Sequence, residues 1–206
     1  MTAMQMVLND IEMDSTILIQ PARRMSDEEY YRFCAANPDF RIERTAKGEI
    51  VIMPPTGGET SHRNAGLTAQ LYTWARREGR GKDFDSNVEY ILPSGAARSP
   101  DASWVLRSRL ATLTAEQKKK FPPLCPDFVV ELRSPSDRLA RVQAKMREWI
   151  DNNAKLGWLI DPTTHTVYVY RPDQTTERLV DPDRVEGEPP VDSFVLEMAV
   201  IWNPDL

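Results

Sequence analysis

Two acidic residues in apolar surroundings are suited to holding a cation. Glu131 interrupts the run FVVEL at 128–132, whose other residues are of the types that a covered β-sheet favours. A carboxylate inside a sheet is costly unless it is paired, hydrogen-bonded or bound to a metal. Asp101 follows Pro100 at the start of a second short strand, ASWVL. If these strands are neighbours, the carboxylates meet near the sheet, and such a pair suits Mg²⁺, which takes few protein ligands.

A basic side chain beside this pair would orient a nucleophile or offset the charge that develops on a phosphate. Arg133 follows Glu131 by two residues in the predicted strand 127–133, so the alternation of the strand places both side chains on one side. Lys145 lies on the predicted helix that follows, at the edge of the apolar stripe. Its long side chain can reach along the sheet while its stem stays packed.

Asp127 requires a different interpretation. It follows Pro126, as Asp101 follows Pro100. However, it precedes Glu131 by four residues, which is about 13 Å along a strand and too far to share one ion. We therefore interpret Asp127 as structural.

The elements that position these residues alternate between helices and strands. Helices are predicted at 26–36, where Ser26 and Glu29 form a capping box, at 61–80, where Gly79 ends the helix, and at 134–155, where Ser136 is the cap. Strands are predicted at 84–93, 100–106, 127–133 and 157–162, with hairpins at 40–54 and 165–180, and 193–202 is either strand or helix. The strand–helix–strand unit at 127–161 requires a parallel pair, so we expect an α/β fold with a mixed central β-sheet flanked by helices.

Length and composition favour a single domain. The chain has 206 residues, 41% of them hydrophobic, and no apolar run approaches the length of a membrane span. We expect an N-terminal arm at 1–25, one domain at 26–206 and no contact with a membrane. The start of the chain does not resemble a signal peptide, and two cysteines without metal-ligand spacing fit a reducing compartment, so we expect a cytoplasmic protein.

The charge distribution is uneven. The net charge is −5, but residues 98–147 contain eleven Lys or Arg and five Asp or Glu. A basic centre of this kind is typical of nucleic-acid binding, and Arg138, Arg141 and Arg147 are the candidate contacts to a phosphate backbone. The charge distribution alone fits a solvated surface with uneven charge equally well.

These residues also carry a resemblance. Pro100–Asp101 followed by Glu131–Leu132–Arg133 resembles the PD-(D/E)XK pattern of restriction-endonuclease-like nucleases. A longer ordered series, covering about residues 26–172, resembles the Uma2-type family within that group. The series comprises MPPTGGETSHR, SPDASWV, CPDFVVELRSPSD, QAKMREWIDNNAKLGWLIDP and VYVYRP.

The resemblance implies a restriction-endonuclease-like core, a Mg²⁺- or Mn²⁺-dependent endonuclease site and a homodimer. Asp101 and Glu131 match the metal carboxylates. Arg133 stands where the pattern has lysine, and Lys145 is the candidate for a lysine displaced to the helix. His62 matches a recurring histidine at the start of the first core helix and is kept as a candidate catalytic residue. The resemblance alone favours DNA over RNA as the substrate.

Three alternatives remain open at this stage. The fold could bind nucleic acid without cleaving it, because ExK has become ExR. Asp101 and Glu131 could act as an acid–base pair without a metal. The chain could be a structural or dimerisation domain in which Glu131 and Arg133 form only an ion pair.

Overall fold

The computed structural model describes residues 16–205. Its helices are α1 Asp27–Ala35, α2 Gly58–Glu78, α3 Arg107–Ala111, α4 Leu139–Asp151 and α5 Ala199–Trp202, with a 3₁₀ turn at Gln117–Lys119. Its strands are β1 Ile17–Ile19, β2 Arg41–Arg44, β3 Ile50–Met53, β4 Gly81–Phe84, β5 Tyr90–Ile91, β6 Ala97–Arg98, β7 Ala102–Leu106, β8 Phe128–Leu132, β9 Leu156–Asp161, β10 Thr166–Tyr170, β11 Glu177–Val180, β12 Arg184–Glu186 and β13 Val195–Glu197.

The central sheet is mixed, as the strand–helix–strand unit predicts. Its six strands run in the order β11-β10-β9-β8-β7-β4. β8 and β9 are parallel, and every other pairing in this sheet is antiparallel. Because β7 and β8 are adjacent, with Ala102 opposite Val130, the segments that carry Asp101 and Glu131 are neighbours.

Helices cover both faces of this sheet. Alternation along β8 turns Phe128, Val130 and Leu132 towards the cluster that includes α2, and turns Val129 towards the cluster that includes α4. Glu131 shares the parity of Val129, so its side chain projects to the α4 side. The position of Glu131 in the strand therefore directs its carboxylate towards α4.

A second, antiparallel sheet stands beside the first, in the order β1-β3-β2-β6-β5. α1 packs on it through Tyr30 and Phe33, against the isoleucines of β2 and β3. The Ser26–Glu29 capping box of α1 is present as predicted. The third sheet is the β12–β13 pair.

The prediction of one strand at 84–93 is wrong. β4 ends at Phe84, and the Asp85 side chain accepts a hydrogen bond from the Asn87 backbone N–H at 3.0 Å, forming an Asx turn. The chain then enters β5 in the other sheet. This turn separates the two sheets where the sequence pattern shows continuous strand propensity.

The helix after β8 begins later than predicted. Asp137 Oδ2 accepts hydrogen bonds from the backbone N–H and the hydroxyl of Ser134, at 3.0 and 2.7 Å. These bonds close a turn, so α4 begins after Arg138 and Ser136 does not cap it. At the C-terminal end, 193–202 forms both elements, since β13 is followed directly by α5.

The predicted arm at 1–25 falls largely on residues 1–15, which lie outside the described residues. Of the remainder, β1 pairs with β3 at the edge of the second sheet. Within residues 16–205, no helix combines the length and apolarity needed to cross a membrane.

Candidate active site

A cleft of about 1390 Å³ opens where the two sheets meet the N-terminal ends of α2 and α4. Asp101, Glu131 and Lys145 all line it. The structure thus brings together three of the five residues that the sequence proposed for catalysis. Two side chains from β2, Arg41 and Glu43, complete its inner wall.

Glu131 is buried, and one of its carboxylate oxygens contacts two donor groups. Its Oε1 accepts a hydrogen bond from Trp149 Nε1 at 2.8 Å and lies 3.0 Å from Lys145 Nζ. Burial, together with the carboxylates of Asp101 and Glu43, raises the pKa of Glu131 from 4.5 to about 7, although Lys145 and Trp149 oppose the rise. The negative charge of Glu131 is therefore incompletely compensated.

Asp101 is held by the backbone of the neighbouring strand. Its Oδ2 accepts a hydrogen bond from the Leu132 backbone N–H at 2.8 Å, and Oδ1 lies 3.6 Å from Arg41 Nη2. Burial raises the pKa of Asp101, against the lowering influence of Arg41, Leu132 and Lys145. Oδ1 faces a cleft with only this long ion-pair contact in the described part of the chain.

Glu43 is a third buried carboxylate, and it is well compensated. Its Oε1 lies 2.8 Å from Lys145 Nζ, and Arg98 Nη1 donates to its Oε2 at 3.0 Å. Burial alone would raise its pKa, but Lys145 and Arg98 outweigh burial and lower the pKa to about 2. Glu43 is thus an anion at any ordinary pH.

Lys145 is the central cation of the cleft. Its Nζ contacts Glu131 and Glu43 and donates to the Ser99 carbonyl at 2.8 Å. Burial lowers its pKa, but the two carboxylates more than offset this and the net pKa is raised. Lys145 therefore stays protonated and acts as a charge, not as a base.

Arg41 lies on β2, two residues before Glu43, and so projects from the same face of the strand. Its contact with Asp101 is long, and its Nε is buried without an acceptor among residues 16–205. A guanidinium beside a carboxylate pair can donate hydrogen bonds to a phosphate oxygen.

Arg133 does not reach the cleft. It is absent from the cleft lining, because its guanidinium is bound by Asp161 at the end of the neighbouring strand β9. Arg133 Nη1 instead contacts both carboxylate oxygens of Asp161, at 2.9 and 3.0 Å, and Nε donates to the Asp137 carbonyl. Glu131 and Arg133 thus have different partners, and the ion pair considered between them does not form.

The other predicted residues are distributed around this centre. Arg138 and Arg141 are exposed and line the cleft, whereas Arg147 is exposed outside its lining. His62 is exposed on α2, four residues into the helix, and is not among the lining residues. Asp127 accepts from the Leu106 backbone N–H and from Arg109, which agrees with its interpretation as structural.

Whether these residues suit a divalent cation is a question of donor chemistry. Within residues 16–205, no group of three or more His, Cys, Asp or Glu side chains is arranged as a metal site. Mg²⁺ and Mn²⁺ do not need such a group, since two carboxylates and several waters suffice. Asp101 has an oxygen that faces the cleft and the charge of Glu131 is only partly compensated, so the pair fits a hard divalent cation.

The sequence interpretation missed Glu43 and Arg41. The signal was the strand RIER, in which Ile42 is buried in the second sheet while Arg41 and Glu43 alternate with it. Such a pattern is typical of a solvated face. Only the packing of the second sheet against the first shows that this face lines the cleft.

The chain resembles known proteins both in sequence and in fold. A family model described as "Uma2: Putative restriction endonuclease" matches residues 27–199. Among solved structures, the fold resembles a crystal structure titled as a putative nuclease belonging to DUF820 from Anabaena variabilis. That similarity has a TM-score of 0.72 at 22% sequence identity and covers 87% of this chain and 98% of the other. It establishes the restriction-endonuclease-like α/β fold. No curated protein matches the sequence.

Proposed function

The chain belongs to the Uma2 family, and from that premise we propose that it is a metal-dependent endonuclease that hydrolyses phosphodiester bonds in DNA. The observation that carries the proposal is the pairing of Asp101 and Glu131 in one cleft, with Lys145 Nζ 3.0 Å from Glu131. Two carboxylates and one lysine in this relation are the residue types that the PD-(D/E)XK pattern requires.

Asp101 and Glu131 would hold the ion, which is Mg²⁺ or Mn²⁺. When bound, such an ion supplies Lewis-acid stabilisation of the charge on the scissile phosphate and of the attacking water. Asp101 is pre-oriented for this role because its other oxygen is fixed by the Leu132 backbone N–H. The charge of Glu131 is only partly compensated by its partners, and this favours the binding of a cation.

Lys145 and Arg41 would act on the substrate. Lys145 Nζ, held protonated by its two carboxylates, orients the attacking water or offsets charge on a phosphate oxygen. Arg41 takes the part that the sequence offered to Arg133, because it is the arginine beside Asp101. Arg138 and Arg141, at the cleft wall, would contact the flanking backbone.

The charge of the cleft lining supports the need for a metal ion. Its cationic side chains are Arg41, Arg98, Arg138, Arg141 and Lys145, and its carboxylates are Glu43, Glu59, Asp101, Glu131, Asp137 and Glu148. One carboxylate is in excess, so the lining alone does not attract a polyanion. A divalent cation reverses the sign, and DNA affinity should then depend on that cation as well as on salt.

The test is cleavage of supercoiled plasmid with Mg²⁺, Mn²⁺ or EDTA, using the wild type beside Asp101→Asn and Lys145→Met. We expect nicking with either metal, none with EDTA, and loss of nicking in both variants. Thermal melts of all three proteins must show that the variants are folded.

Two other results would overturn the proposal in different ways. Salt-sensitive DNA binding without nicking under any condition would indicate a binding module that has lost catalysis. Nicking that persists in EDTA would indicate acid–base chemistry without a metal.

A further inference from the structure

We infer that Glu43 is a positioning residue: it holds Lys145 in place when Glu131 turns to the metal ion. This inference rests on the proposed function, because it assumes that Glu131 binds a cation. It assigns a role to a residue that lies outside the PD-(D/E)XK pattern, on a strand of the second sheet.

Lys145 Nζ carries three protons. In the structure Nζ has three neighbours of the accepting kind: the Ser99 carbonyl at 2.8 Å, Glu43 Oε1 at 2.8 Å and Glu131 Oε1 at 3.0 Å. An ammonium group has three donors, so all three are used. Glu131 is the most distant of these partners.

Glu43 is itself held rigidly. The Ser99 backbone N–H donates to Glu43 Oε1 at 3.1 Å, and Arg98 Nη1 donates to Oε2 at 3.0 Å. Arg98 also donates to Glu148 Oε2 at 2.6 Å, and Glu148 lies on α4 three residues after Lys145. The residues 98–99 thus tie Glu43 to the helix that carries the lysine.

Because of this arrangement, Glu131 does not have to serve both as the counter-charge of Lys145 and as a metal ligand. If Lys145 had Glu131 as its only anionic partner, a metal ion could bind Glu131 only by leaving a buried ammonium group unpaired, which is costly. Because Glu43 remains a partner, Lys145 keeps a counter-charge when Glu131 moves its own charge to the metal. The proton that pointed at Glu131 then becomes free for a water or a phosphate oxygen.

The experiment is a double-mutant cycle on Mn²⁺ affinity, measured by calorimetry without DNA. It compares the wild type, Glu43→Gln, Lys145→Met and the double variant. Glu43→Gln keeps the shape of the side chain and removes its charge, so Lys145 should depend on Glu131 alone. We expect Mn²⁺ affinity to fall about tenfold in this variant, and to change less than about threefold when Lys145 is already Met.

The control is Asp127→Asn, which disrupts another buried carboxylate–arginine pair, located at the start of β8 in the central sheet. Its Mn²⁺ affinity should equal that of the wild type, because it acts on stability only. Circular dichroism checks that each variant folds. If Glu43→Gln does not fold, Arg98→Lys weakens one support of Glu43 instead, and its smaller loss of affinity should also require Lys145.

Each remaining outcome overturns a distinct claim. An equal loss of affinity in both lysine backgrounds would make Glu43 a metal ligand or a simple source of negative charge. An unchanged affinity in Glu43→Gln, with a lower melting temperature, would make the Glu43–Lys145 pair purely structural. A wild type that binds no Mn²⁺ would overturn the proposed function, and the positioning role with it.

Discussion

Asp127 directly precedes strand β8 and Glu131 lies within it, and both are buried carboxylates that are 5% exposed or less. Their surroundings differ. Asp127 has a donor for each oxygen, Leu106 N–H for Oδ2 and Arg109 Nη1 for Oδ1, both at 2.9 Å. Glu131 lies at the cleft beside two further carboxylates, and it shares the ammonium group of Lys145 with Glu43.

The difference shows that burial of a carboxylate does not by itself indicate a functional site. Asp127 is matched by its own partners and needs nothing from outside the chain. Glu131 is buried beside the carboxylates of Asp101 and Glu43, and it shares Lys145 with Glu43, in a place that lines the cleft. A shortage of positive charge at an accessible place is what a cation-binding site requires.

The largest expected effect is a difference in plasmid cleavage between variants of Glu131 and of Asp127. Glu131→Gln should reduce plasmid cleavage by about 10³-fold or more, because it removes charge needed only at the reaction centre. Asp127→Asn should leave cleavage per folded molecule within about twofold but lower the free energy of unfolding by about 2 kcal/mol, because a charged hydrogen bond is lost. Cleavage rates and urea unfolding of both variants check this.

Equal loss of cleavage in both variants would contradict the contrast between them. So would Glu131→Gln losing more stability than Asp127→Asn, since Gln can still accept from Trp149 and Lys145 retains Glu43.

A smaller difference is expected between two arginines. Arg41→Met should slow cleavage about 10- to 100-fold, because Arg41 is the guanidinium beside Asp101. Arg133→Met should change cleavage less than about threefold, because Arg133 is bound to Asp161 away from the cleft. Single-turnover cleavage at saturating metal measures both.

If folded Arg133→Met cleaved more slowly than folded Arg41→Met, the assignment of the phosphate contact to Arg41 would be wrong. A melt of Arg133→Met is needed alongside, because Asp161 is fully buried and would lose its cation.

The smallest effect concerns pH and stability. The pKa of Glu131 is raised from 4.5 to about 7 in the folded state, so the folded protein binds its proton more tightly than the unfolded chain does. This contribution to stability is present below about pH 4.5 and is lost as the pH rises through about 7. The stability of Glu131→Gln relative to wild type should therefore increase over that interval.

The relevant quantity is the free energy of unfolding of Glu131→Gln minus that of the wild type. Burial raises the pKa of Glu89 to about 8, but this group is common to both proteins and cancels. A difference that stays flat from pH 4.5 to 7.5, in urea unfolding without metal, would mean that Glu131 is fully compensated.

Much of the fold and part of the site could be predicted from the sequence. The apolar run around Glu131, followed by an amphipathic helix and a second buried strand, specifies a parallel pair by local patterns alone. The same local reasoning brought Lys145 to the sheet surface, since its place on α4 follows from helical periodicity. Asp101 required only that β7 lie beside β8.

The rest depended on contacts between distant segments. Glu43 and Arg41 belong to a sheet whose packing against the central sheet leaves no periodic signal in the sequence. Arg133 was proposed for the site because the sequence does not show that Asp161, at the end of β9, takes up its guanidinium. A partner on another strand thus keeps Arg133 out of the cleft lining.

The most direct test of the central claim is the thermal stability of wild type, Glu131→Gln and Asp127→Asn with and without Mn²⁺. If Glu131 holds the cation, Mn²⁺ at about 100 times its Kd stabilises the wild type and Asp127→Asn by ~2.7 kcal/mol and leaves Glu131→Gln nearly unchanged. An equal stabilisation of all three proteins, or of none, would contradict the account.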